Sequence, residues 1–64
     1  MGYEIDPDFV AKLNAVLKRR KLRDKYVCRH FNISKATLLR WKSGESAPHP
    51  DLREFILRDL ETLY

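Results

Sequence analysis

Eleven basic side chains fall between residues 12 and 42: Lys12, Lys18, Arg19, Arg20, Lys21, Arg23, Lys25, Arg29, Lys35, Arg40 and Lys42, against the single acid Asp24. Fixed cations at that density suit the neutralisation of a polyanion with release of its counterions, a nucleic acid before an anionic membrane; the plain alternative is a solvated basic surface with no partner. The flanks have the opposite character. Residues 1–11 carry Glu4, Asp6 and Asp8 with no base, and residues 43–64 carry Glu45, Asp51, Glu54, Asp59 and Glu61 against Arg53 and Arg58. A net charge of +4 therefore hides a strongly basic centre between acidic ends, the footprint of a face that meets phosphate.

Residues for other chemistry are absent or badly spaced. Cys28 is the only cysteine, which excludes an internal disulfide and a cysteine-based zinc site. His30 and His49 are far apart in the chain and have no carboxylate or cysteine arranged as a co-ligand, so no metal is expected. With two glycines in the whole chain there is no phosphate-cradling loop, and neither a Ser/His/Asp grouping nor a close carboxylate pair is present. The chain reads as neither an enzyme nor a cofactor carrier. Cys28 and Trp41 read as core residues, the first as a small hydrophobe and the second as a packing aromatic.

The elements that must position the basic residues are helical. Asp6-Pro7-Asp8 starts the first, with Asp6 as cap, Pro7 in the first helical position and Asp8 at the positive dipole end. Phe9, Val10, Leu13, Val16 and Leu17 form its apolar stripe, and Arg19, Arg20 and Lys21 close its last turn, where cations also favour the dipole. Leu22, Val27, Cys28 and Phe31 mark a second, short helix across Arg23 to His30 that ends near Asn32. Ser34 offers a cap for a third helix from Lys35 to about Lys42, with Leu38 and Trp41 on one face. Pro50 opens a fourth, with Asp51 and Glu54 in its first turn. Leu52, Phe55, Ile56, Leu60 and Leu63 give its packing stripe, and Leu57 and Tyr64 lie to one side, more apolar surface than a small core needs. Sixty-four residues with 44% hydrophobic and 34% charged side chains allow one folded domain, burying roughly 60% of its extended-chain surface with a net stability of about 3–10 kcal/mol. The expected fold is all-α, a small single-domain bundle of four helices. No apolar run approaches the length of a membrane span and no signal-peptide pattern opens the chain, so a soluble cytoplasmic protein is expected.

Residues 22–44 carry the most specific pattern. Two short helices meet at a tight turn; Cys28 supplies a small packing residue, Asn32 a left-handed turn position, and Ile33, Leu38 and Trp41 the apolar positions beyond it. Trp41, Gly44 and Pro48 follow as Trp-x-x-Gly-x-x-x-Pro. This segment resembles the helix-turn-helix of the phage Cro and repressor family, also called the XRE type, in motif detail over residues 22–44 and in outline over the whole chain. The resemblance implies a sequence-specific double-stranded DNA-binding regulator, by default a repressor, associated with the nucleoid when bound.

In such proteins the second helix of the motif enters the major groove. The resemblance places Lys35, Ala36, Leu39 and Arg40 at base edges, Arg40 foremost because a guanidinium can donate two parallel hydrogen bonds to guanine. It places Ser34, Thr37, Lys42 and Ser43 near phosphates, with Arg20, Lys21, Arg23 and Lys25 on the adjoining backbone. Relatives usually bind as dimers on half-sites roughly 34 Å apart, so a weak homodimer, or one formed only on DNA, is expected through the surplus of helix four, with Leu57, Leu60 and Tyr64 as candidates. Two positions depart from the family. Arg23-Asp24 stands where Thr or Ser followed by Gln is frequent, which sets a carboxylate near phosphate although Asp24 can cap the helix. Asn32 replaces the usual turn glycine. The alternative expectation is a helical protein-interaction or RNA-binding module, antitoxin-like, that kept the fold and lost operator reading.

Overall fold

A computed structural model describes residues 5–63; Tyr64 and the residues before Ile5 lie outside the described set. Four helices follow in order: α1 Pro7–Arg19, α2 Asp24–Phe31, α3 Lys35–Ser43 and α4 Pro50–Thr62. Their ends sit where local chemistry requires. The Asp6 carboxylate accepts hydrogen bonds from the backbone N–H groups of Asp8 and Phe9 at 3.0 and 3.3 Å, the Ser34 hydroxyl accepts from Thr37 N–H at 3.1 Å, and Pro50 opens α4. Each satisfies or removes one of the donors that a helix start leaves over.

α1 ends sooner than the run of bases suggests. Arg20 is its cap and Lys21 takes the left-handed conformation at φ 56°, so the chain turns before Leu22, whose N–H donates to Leu17 O at 3.0 Å. Asn32 closes α2 at φ 57° and ψ 47°, with Ile33 N–H donating to Cys28 O at 3.0 Å. That leaves Ile33 and Ser34 as the only residues between Asn32 and α3, the tight connection the motif needs.

The core draws on all four helices. Leu13, Leu38 and Leu60 are wholly buried, with Phe9 and Val27 nearly so, and the Phe9 and Trp41 rings meet edge to face with centroids 6.4 Å apart. α1 is the central element: it packs on both α3 and α4, and α2 packs on α3. Val16, Leu17, Cys28, Ile56 and Leu63 complete the cluster. One consequence corrects the expected packing of α4. Leu60 is fully buried and cannot present itself to a partner, Leu57 packs half-buried against the core, and Tyr64 is not described. Leu52 and Phe55, assigned to the packing stripe, instead stand 50% and 59% exposed.

Candidate nucleic-acid interface

α3 buries Leu38 and Trp41 and turns the other side outward. Lys35, Ala36, Leu39, Arg40 and Ser43 are all exposed, and their i, i+4 and i+8 spacing puts them on one continuous face. The four residues expected at base edges therefore share that face. Lys35 and Arg40 enter no ion pair among the described residues, so their charge is available to a ligand. Ala36, with no bulk beyond Cβ, leaves the first turn open to close approach.

The helix is held in place from three directions. The Asn14 side chain, on α1, donates to Val10 O at 2.9 Å and to Lys42 O at 3.0 Å, satisfying a carbonyl in the last turn of α3. Lys42 Nζ donates to both oxygens of Asp24 at 3.0 and 3.3 Å, tying the end of α3 to the start of α2. Gly44, at φ 86°, lets the chain fold back so that Gly44 N–H and Glu45 N–H donate to Arg40 O at 3.0 and 2.9 Å. A side chain at that φ would be strained.

Three further cations gather at the α1–α2 corner, where Arg20, Lys21 and Arg23 line a shallow cleft with Leu22 and Tyr26. Lys21, Arg23 and Lys25 are exposed and unpaired among the described residues. Arg23 caps α2 without a side-chain hydrogen bond, and a helix start with no side-chain cap is one that can receive a phosphate. Asp24 does not cap α2, contrary to the sequence reading; its carboxylate is spent on Lys42.

Several expected phosphate contacts are changed by internal bonds. Arg20 is half-buried and its guanidinium donates to Leu60 O at 2.6 Å, so it anchors α4 instead of standing free. Lys42 is held by Asp24. The Ser34 and Thr37 hydroxyls bond each other at 2.9 Å, and Ser43 Oγ donates to Arg40 O at 3.2 Å. These hydroxyls shape α3 first, and each keeps at most part of its capacity for a phosphate oxygen.

Two features escaped the sequence reading. Asn14, part-buried, borders the apolar stripe of α1, and a lone amide at the edge of such a stripe is the signal of a bridging role. His30, at the end of α2, pairs with Asp59 on α4, a contact between distant segments that spacing does not reveal. Cys28 behaves as expected: it is buried, and burial first, then the nearby Asp24 carboxylate, pushes its thiol pKa above the ordinary value. No group of three or more His, Cys, Asp or Glu among the described residues could hold a metal ion, and no helix among them is long and apolar enough to cross a membrane. No family model, curated protein or solved structure matches this chain.

Proposed function

We propose that the chain is a sequence-specific double-stranded DNA-binding regulator that acts in the cytoplasm, by default as a repressor that occupies its operator. The observation that carries this reading is the outward face of α3. It projects Lys35 and Arg40 without internal ion-pair partners, beside a short Ala36 and an uncovered Leu39, from a helix capped by Ser34 and braced at its C-terminal end by Asn14 and Asp24.

On this reading α3 lies in the major groove. Arg40 donates two parallel hydrogen bonds to guanine O6 and N7, worth about 1–3 kcal/mol of discrimination against the wrong base. Lys35 makes a less directional contact to the same acceptors. Ala36 permits close approach, and Leu39 meets a thymine methyl. Lys21, Arg23 and Lys25, with the start of α2, which no side chain caps, meet the backbone phosphates, which set register and supply the salt-dependent part of affinity. Repression needs no catalysis: occupancy of the site excludes whatever else must bind there.

Leu39, 47% exposed at the middle of the same face, favours a second reading, a protein-interaction or RNA-binding module on the same fold. Selection of duplexes from a random DNA pool at low and near-physiological salt separates the two. Enrichment of one site that survives the higher salt supports operator reading; binding at low salt without enrichment gives the lead to the interaction module.

A further inference from the structure

We propose that the cleft at the α1–α2 corner binds a free nucleotide, with its polyphosphate on Arg20, Lys21 and Arg23 and its base on the ring of Tyr26. The cleft has a volume of about 450 Å³ and is lined by those four residues and Leu22, a size that suits one small ligand. Its cations outnumber its other lining residues, and none of them is an acid. The acid next to Arg23 in the chain is turned away: Asp24 gives its carboxylate to Lys42 and lines a separate notch with Asn14, Lys18 and Lys42. The attraction of the cleft for an anion is therefore not cancelled from within.

The walls of the cleft are held by the fold. The bond of the Arg20 guanidinium to Leu60 O at 2.6 Å fixes it while using only part of its donor fork, and the rest is left to a phosphate. Leu22 packs half-buried against the core, and Lys21, at φ 56°, sets the turn between them. Tyr26, 43% exposed, adds what a duplex backbone does not need. Backbone phosphates are met by cations and N–H groups, whereas an unpaired base gains by lying on an aromatic ring. A single strand needs several such rings along a basic groove, but Tyr26 is the only exposed Phe, Tyr or Trp among the described residues of α1, α2 and α3. One ring beside one group of cations fits one base and its own phosphates. Lys21 and Arg23 are also the backbone contacts of the DNA reading, so an occupied cleft competes with a duplex; this regulatory consequence alone rests on that reading.

The free chain is titrated with ATP, GTP and inorganic triphosphate at matched ionic strength while its backbone amide resonances are followed. Both nucleotides are expected to shift the amides of residues 20–26 first and to bind about fivefold to tenfold more tightly than triphosphate, the gain that stacking supplies. Tyr26→Ala should bring the nucleotides down to the level of triphosphate and leave triphosphate itself unchanged, Tyr26→Phe should keep the difference, and Arg23→Ala should weaken all three. The dispersion of the same spectra shows that each variant is folded. Equal binding of nucleotides and triphosphate by the wild type, or shifts centred on Lys35 and Arg40, overturns the proposal. Duplex binding without nucleotide binding overturns it as well and leaves the DNA reading standing, whereas nucleotide binding without binding to any duplex removes the DNA reading and leaves the cleft. Where both bind, ATP should displace duplex more effectively than triphosphate does, and an equal effect overturns the competition.

Discussion

Lys42 Nζ sits 3.0 and 3.3 Å from the two carboxylate oxygens of Asp24, so the last turn of the candidate recognition helix is pinned to the first turn of α2 by an ion pair. Both side chains remain about a quarter to a third exposed, and a pair so placed contributes no more than about 1 kcal/mol to stability. Its larger effect is on charge. On the DNA-binding reading, the pair withholds one cation from the proposed phosphate-contacting face and keeps one carboxylate on it.

Asp24→Asn should therefore strengthen binding to duplex DNA of any sequence several-fold at low salt and steepen the dependence of log affinity on log salt by up to about 1. Stability should fall by about 0.5–1 kcal/mol, because the pair and a favourable dipole contact are both lost. Fluorescence anisotropy over a salt series reads the first effect and urea unfolding the second. Weaker binding would show that the pair's positioning of α3 outweighs its charge.

Arg40→Ala and Lys25→Ala should separate base reading from backbone attraction. Loss of Arg40 should cost about 1–3 kcal/mol on the selected site and relax preference at one base pair, whereas loss of Lys25 should weaken all sequences alike and lower the salt slope by about 1. Competition binding with single-base variants of the selected site distinguishes these outcomes. Equal losses on specific and random duplexes for both variants would remove Arg40 from the base-reading role.

Lys21 offers a trade between stability and binding. It occupies the left-handed region at φ 56°, a conformation that costs a residue with a side chain roughly 1–2 kcal/mol and that glycine adopts freely. Lys21→Gly should raise stability by about 0.5–1 kcal/mol, part of the gain being offset by the freer unfolded chain, and should weaken duplex binding in a salt-dependent way. Unchanged binding would place Lys21 away from the phosphate path.

Asn14 and Lys42 lie on helices whose relation no local pattern encodes, and they show where the sequence stops being legible. The caps at Asp6 and Ser34, the helix start at Pro50 and the closures at Asn32 and Gly44 were readable because each depends on a few adjacent residues and their backbone preferences. The outward residues of α3 were readable because Leu38 and Trp41 mark its inner face. The bonds of Arg20 to Leu60 O and of His30 to Asp59 were not, since each joins segments brought together only by packing. α4 failed for a related reason. Its apolar arc, from Phe55 through Leu52 and Ile56 to Leu57, is wider than any one contact, and where α1 lands decides which edge stays wet. With α1 against the Leu57 side, Leu60 is sealed and Leu52 and Phe55 are left outside.

Cys28 gives a prediction whose sign can be worked out. Burial raises its pKa above the ordinary value of 9.0, so between the unfolded and folded values the native state holds a proton that the unfolded chain has released. Stability from this group is complete below about pH 9 and is lost as pH rises, by up to about 1.4 kcal/mol per pH unit until the folded pKa is reached. Lysines and tyrosines titrate in the same range, so the informative quantity is the difference between wild type and Cys28→Ala across pH 7.5 to 10.5, measured by urea unfolding. The variant should start about 1 kcal/mol or more less stable, because a buried atom is removed and a small gap is left. The gap between the two proteins should then narrow as the pH climbs. A constant difference over the whole range would mean that the thiol titrates alike folded and unfolded, and that its burial between α2 and α3 is looser than the packing of Val27 and Leu38 around it implies.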